Sequence, residues 1–200
     1  MLRHTDRTPS LSAVDSLAPI LGVPAPTELT FGGERHVLRC LCLEDADRLI
    51  AFFNSHNEET VRLRYGYFFK EMTLARAKEL VGVDQSKDLA LAIFSFTPTH
   101  EPVIDAIGRY FLMPSGKTAE MAFIVRETKR RLGMAQTLLR ALARTARDRG
   151  VVKLVAQVQR ENRGMISLFR KEGASTRGSL GSDTIDISLP LARPRKNRPT

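Results

Sequence analysis

The chain of 200 residues has no tryptophan, two cysteines and an aromatic content of only 6%. The cysteines, Cys40 and Cys42, sit two apart on one expected strand, where they would share a face and pair poorly as a disulfide. No further Cys and no clustered His completes a metal site, so no metal is expected and a reducing, cytoplasmic setting is the default. Long apolar runs are missing too. Leu11 to Pro26 is apolar in places but is broken by Asp15 and by prolines, which makes it neither a secretory core nor a membrane span. Acidic residues are outnumbered 22 to 31 by Lys and Arg, giving a formal net charge of +9 and a pI near 10.1. Such an excess favours acidic partners, a polyanionic small molecule as readily as a nucleic acid. Interleaved aromatics, zinc spacing and a reading helix are all absent, which sets nucleic acid aside as a partner.

Two familiar phosphate-binding strings are also missing: Gly-x-Gly-x-x-Gly after a first strand, and Gly-x4-Gly-Lys-Ser/Thr. What the chain has instead is Arg130-Arg131-Leu132-Gly133-Met134-Ala135, between an apolar strand pattern and a long amphipathic helix pattern. Gly133 carries no Cβ, so an anion can approach the backbone, and small Ala135 keeps that approach open. A helix starting there offers unpaired N–H groups and the positive end of its dipole. Arg130 and Arg131 add forked donors suited to phosphate oxygens. Together these residues predict a site for a pyrophosphate-bearing cofactor.

The string Arg130-x-x-Gly133-x-Ala135, preceded by Ala119-Glu-Met-Ala-Phe-Ile-Val125, resembles the acetyl-coenzyme A motif of the GCN5-related N-acetyltransferases (GNAT). A second string, Asn162-x-x-Met165-x-x-Leu168-Phe169-x-Lys171-x-Gly173, is similar to the family's closing signature and follows after one helix and one strand. Ala119-Glu120 and the triplet Glu161-Asn162-Arg163 look closest to the catalytic domains of bacterial protein-lysine acetyltransferases. The resemblance covers residues 36 to 189. It implies a mixed α/β fold with a central, twisted, mostly antiparallel sheet of about six to seven strands, splayed between its two central strands and flanked by about four helices.

Hydrophobic patterning agrees with that plan. Residues 1 to 30 are rich in Ser, Thr and Pro and read as a flexible arm that could dock on the domain or on a second copy of the chain, a homodimer. The domain is expected over 31 to 190. It would open with a strand from Arg35 to Leu43 and a helix carrying Ala46, Leu49, Ile50 and Phe53. Asn57 to Lys70 has no clean period, and its Tyr65, Tyr67, Phe68 and Phe69 are candidates for an acceptor-pocket wall. A helix from Thr73 to Val83, a hairpin of Leu89 to Phe96 with Val103 to Met113, and the strand of Glu120 follow. A helix from Gly133 to Arg149 buries Leu138, Leu139, Leu142 and Ala146, and Gly150 ends it. Strands at Val151 to Val158 and Thr184 to Leu189 complete the sheet, and residues 191 to 200 form a basic, disordered tail.

Moving an acetyl group to an amine requires the amine neutral, yet a lysine ammonium titrates near pH 10.4. A proton acceptor is needed, and the resemblance assigns that role to Glu120, with an apolar flanking run that would raise its pKa. It further implies that strand N–H groups of Phe123, Ile124 and Val125 face the thioester, with a bulge splaying the strands. Asn162 would bond the pantetheine arm or cap a helix, two roles that can coexist. Phe169 departs from the family, which often has a tyrosine acid there; Ser167 is a weak substitute, and Ala174 is a further departure. The expected activity is acetyl transfer from acetyl-coenzyme A to a primary amine, on a protein lysine or a small molecule. The alternative is a coenzyme A-binding sensor or scaffold that has lost catalysis.

Overall fold

Leu89 to Phe94 alternate between two hydrophobic cores, and this strand sets the plan of the molecule. Leu89, Leu91 and Ile93 enter one cluster, while Ala90, Ala92 and Phe94 enter the other. A strand buried on both faces has to lie inside a sheet with helices above and below. In the computed structural model, which describes residues 24–65, 71–178 and 181–191, that sheet has eight strands. They are β1 (Thr27–Phe31), β2 (Glu34–Cys40), β3 (Leu89–Phe96), β4 (Pro102–Leu112), β5 (Thr118–Val125), β6 (Lys153–Gln159), β7 (Ser175–Arg177) and β8 (Thr184–Pro190). Their order is β1-β2-β3-β4-β5-β6-β8-β7, and every neighbouring pair is antiparallel except β5 with β6.

Five α-helices among the described residues cover the two faces: α1 (Ala46–Asn54), α2 (Glu58–Tyr65), α3 (Leu74–Val81), α4 (Met134–Asp148) and α5 (Arg163–Lys171). The first core lies under α4 and α5, through Met134, Leu138, Leu139, Leu142, Ala146, Ile166 and Phe169. The second lies under α1 and α3, through Ala46, Leu49, Phe52, Phe53, Ala77 and Val81. Caps are where the sequence puts them. Thr73 accepts the Arg76 amide at the start of α3, and Gly150, at φ 80°, turns the chain after α4.

The mixed α/β class and mostly antiparallel sheet are as expected, with three elements more than the pattern gave. β1 forms at Thr27–Phe31, four residues inside the stretch read as an arm. β7 is three residues long, and α2 occupies part of the segment read as aperiodic. Residues 1–23, the tail from 192 and the rings of Tyr67, Phe68 and Phe69 lie outside the described residues.

The strand expected to reach Leu43 stops at Cys40 because Asp45 pulls the chain into a turn. Asp45 accepts the Cys42 amide at 3.1 Å and two bonds from Arg39 at 2.7 and 2.8 Å. Cys42 therefore sits at a 3-10 turn, not on the strand face of Cys40, and both cysteines are buried as thiols outside any disulfide. Burial pushes the Cys42 thiol up to about 12, helped by hydrogen bonding to Glu44 and by the Asp45 charge. It is thus a small hydrophobe rather than a nucleophile.

A register shift between Ile93 and Phe94 leaves Asp105 of β4 as an extra, bulged residue against β3. Asp105 is buried, 3.3 Å from His36 Nε2 and 3.4 Å from Arg126 Nε. Gly108, three residues on, lies directly under Leu138 of α4. A Cβ there would lie 2.9 Å from the Phe123 ring and 3.1 Å from Leu138. Gly108→Ala should overpack this contact and cost about 1–3 kcal/mol. At about 2–4 °C per kcal/mol for a chain of this size, thermal melting should then show Tm several degrees lower.

Candidate active site

Among the described residues, the one parallel pairing in the sheet is also its shortest central one. β5 and β6 are joined through Thr118–Glu120 and Lys153–Val155 alone. Past Glu120, β5 keeps its ladder with β4 up to Val125, while β6 keeps its ladder with β8 up to Gln159. The two strands therefore part as a wedge.

Antiparallel ladders alternate bonded and non-bonded pairs, which fixes where the backbone of β5 points. Thr118 O accepts the Met113 amide and the Arg126 amide reaches Asp105 O, so even-numbered residues between them pair with β4. The N–H and C=O groups of Met121, Phe123 and Val125 then face the wedge. Of the three residues expected to donate, Phe123 and Val125 have backbone groups facing the wedge, whereas those of Ile124 face β4. The register between β4 and β5 is regular, so the expected bulge is not in β5; the irregularity lies on the far side of β4, at Asp105.

At the wide end of the wedge the chain makes a 3-10 turn, Glu127–Lys129, and enters α4 with no side-chain cap. Thr137 is the first residue whose amide reaches back into the helix, to Gly133 O at 3.0 Å. The amides of Met134, Ala135 and Gln136 are left at the positive helix end. Gly133 has φ 90°, and a Cβ built there meets nothing within 4 Å. Its glycine is demanded by the left-handed turn, and the open space beside it admits an anion. Arg131 shares the left-handed region at φ 63° and is exposed. Leu132 rests over Gly32 in the β1–β2 turn, and Lys129 pairs with Glu34, so the first hairpin props the loop.

Arg130 does something the motif did not suggest. Its Nη2 donates to Thr60 Oγ1 on α2 at 2.5 Å and lies 3.8 Å from Glu127. Around Glu127 a set of groups far apart in sequence converges. Its carboxylate meets His56 Nδ1 at 3.0 Å and accepts the Asn57 amide at 3.2 Å. Burial raises the Glu127 pKa, but hydrogen bonds from Thr60 and Asn57 outweigh it and hold the carboxyl at about 2. Burial lowers the His56 pKa below its usual 6.5, partly opposed by Glu127. His56 is therefore neutral at pH 7 and donates from Nδ1. Nothing local announced this cluster, since Glu127 and His56 are 71 residues apart.

Glu120 occupies the point where β5 and β6 part. Its side chain is exposed. The apolar neighbours expected to surround it, Met121 and Phe123, enter the core on the other face of the sheet, as strand alternation requires. On Glu120's own face lie Ala122 and Ile124, which with Phe52, Ile107, Arg64 and Arg109 line a hollow under α1 and α2. Glu120 thus lies on the face of the sheet that carries this hollow, which is apolar apart from two guanidinium groups.

Asn162 fills the capping role: its Oδ1 accepts the Met165 amide at 3.2 Å, which leaves the side-chain NH2 to donate elsewhere. Phe169 is fully buried, edge-on to Phe123 with ring centroids 5.9 Å apart. Ser167 is exposed. Among the described residues no cluster of His, Cys, Asp and Glu could hold a metal, and no helix is long and apolar enough to cross a membrane.

The family model for an acetyltransferase (GNAT) domain matches residues 35–175. Among solved structures, the chain is similar to the GNAT domain of Streptomyces lividans PAT, with 23% identity, a TM-score of 0.73, and coverage of 83% of this chain and 97% of that one. It is similar to an N-acetyltransferase from Staphylococcus aureus at 17% identity and TM-score 0.63, covering 78% and 99%. A putative acetyltransferase from Salmonella typhimurium, solved with its cofactor acetyl-CoA, matches at 16% identity and TM-score 0.58, covering 82% and 98%.

The two shifted groups predict an acid-sensitive fold. His56 has a lowered folded-state pKa, so its stabilisation is complete above pH 6.5 and drains away as the unfolded chain takes up the proton below that. Glu127 contributes fully above 4.5 and loses its contribution as pH falls toward about 2. Melting curves across pH should show His56→Gln with a flatter Tm profile just below pH 6.5 than the native chain.

Proposed function

The chain belongs to the GNAT acetyltransferases, and from that membership we propose that it transfers an acetyl group from acetyl-coenzyme A to a primary amine, with Glu120 as general base. The observation that carries this is the wedge between β5 and β6. It has an uncapped helix start at its wide end and a carboxylate at its closed end. The diphosphate of the carrier would lie on the amides of Met134, Ala135 and Gln136, with Arg131 beside it. The pantetheine arm would run down the wedge as an added strand, against Phe123 and Val125 backbone groups and the free amide of Asn162. The Salmonella structure, with acetyl-CoA bound to a similar fold, supports the choice of carrier.

The acceptor enters from the hollow beside Ala122. Its nitrogen attacks the thioester carbonyl, the C–N bond forms and the C–S bond breaks. The ammonium proton passes to Glu120, directly or through one water, since the carboxylate is exposed. Wedge-facing N–H groups are pre-aimed at the oxygen that gains charge. Phe169, buried and without a proton, gives no acid catalysis, so the thiolate departs unassisted and is protonated by solvent. Protein lysine and small-molecule amines both remain acceptors under this reading. Phe169 is also what favours the second reading, a carrier-binding sensor without turnover.

Two substitutions separate these. Ala135→Asp puts a carboxylate in the first turn of α4, where it suits the helix dipole but opposes a diphosphate. Calorimetry should show acetyl-CoA affinity down by about 100-fold or more, as like-charge contacts of several kcal/mol imply, with Tm not lowered. Glu120→Gln should bind acetyl-CoA normally yet release thiol about 10²–10⁴-fold more slowly in a panel of amine acceptors. Full turnover in that variant removes Glu120 from the chemistry, and binding without turnover in the native chain favours the sensor.

A further inference from the structure

Helix α2 spans the mouth of the wedge. It packs against both β5 and β6, the two strands that part there. On the β5 lip it is tied by Thr60 to Arg130, and by Asn57 and His56 to Glu127. Asn57 Oδ1 also caps the helix by accepting the Thr60 amide at 2.8 Å. On the β6 lip Arg62 pairs with Glu161, next to Asn162. Arg64, at the far end of the same helix, lines the hollow beside Glu120's strand.

Among its described side chains the helix buries few. It is eight residues long, and of residues 58–64 only Thr60 and Val61 are buried. Short helices with a small buried face are weak elements whose local opening costs little. The Arg62–Glu161 pair is solvent-exposed at both ends and contributes little. The better-shielded attachment is the set on Glu127, in which the His56 side chain and Thr60 are buried, and Glu127 belongs to the turn that leads into the phosphate cradle.

We infer that the acyl carrier completes the acceptor wall: by immobilising the loop 126–133 it stiffens α2 through Glu127 and Thr60, which act as positioning residues without touching either substrate. This rests on the carrier occupying the wedge as proposed above. The loop and the helix then form one cooperative unit, so that rigidity gained in the loop is shared by α2. Thr60 is the hinge of the arrangement, its hydroxyl accepting from Arg130, which itself lies 3.8 Å from Glu127.

Hydrogen–deuterium exchange of the full chain, with and without coenzyme A as the probe, tests this. In the native protein coenzyme A should slow exchange in the first turn of α4 and also in α2, the latter by at least about fivefold, the lower end of usual site-to-site coupling. In Glu127→Gln and in Thr60→Val the cradle should still be protected, while the coenzyme-dependent protection of α2 disappears. A purely structural role would raise α2 exchange equally with and without coenzyme A and leave the increment intact, which would overturn the inference. So would native α2 exchange that ignores coenzyme A while the cradle responds. No response in the native cradle itself would remove the carrier site and this inference with it.

Discussion

The ladder between β5 and β6 ends after three residue pairs, and most of what the protein can do follows from that early stop. An interrupted parallel ladder leaves backbone donors and acceptors unpaired in the middle of a sheet, where such groups are ordinarily satisfied. The structure tolerates them because they open on a cleft rather than into a core. An extended ligand arm with amide groups of its own is the natural complement. The open helix start at one end of the cleft and the carboxylate at the other then acquire a common axis, one suited to charge and the other to proton transfer.

Elements whose signal is local were legible in the residue pattern. β3, β4 and β5 showed as apolar runs with turn residues between them, and α4 as a stripe of Leu138, Leu139, Leu142 and Ala146 ending at Gly150. The glycine turn into α4 was legible for the same reason, since the left-handed conformation of Gly133 is a local requirement. Elements held by distant partners were not. α2 has almost no apolar stripe, and its attachments are polar groups contributed by residues about 70 and 99 positions away. β1 lies in a Ser, Thr and Pro-rich stretch and exists because β2 offers it an edge.

The site shows the same division. Glu120 and Gly133 were found from their neighbours in sequence, yet the surroundings of Glu120 were misjudged by reading along the strand instead of every second residue. Ile124 was assigned to the cleft by adjacency, whereas ladder parity sends its backbone to β4. Arg130 matched a phosphate motif, but its guanidinium is committed to Thr60 and Glu127. In each case the residue type was informative and the direction was set by pairing that only the folded chain possesses.

The bulge at Asp105 lies level with the last pairs of β5, on the side of β4 away from the cleft. Extra residues of this kind bend a strand and sharpen its twist. The bend therefore falls at the wide end of the wedge, where β5 no longer pairs with β6. The residue at that bend, one strand outside the walls of the wedge, is a buried acid paired with His36 and Arg126. The wide end of the wedge thus has a charged support behind it that none of its lining residues supplies.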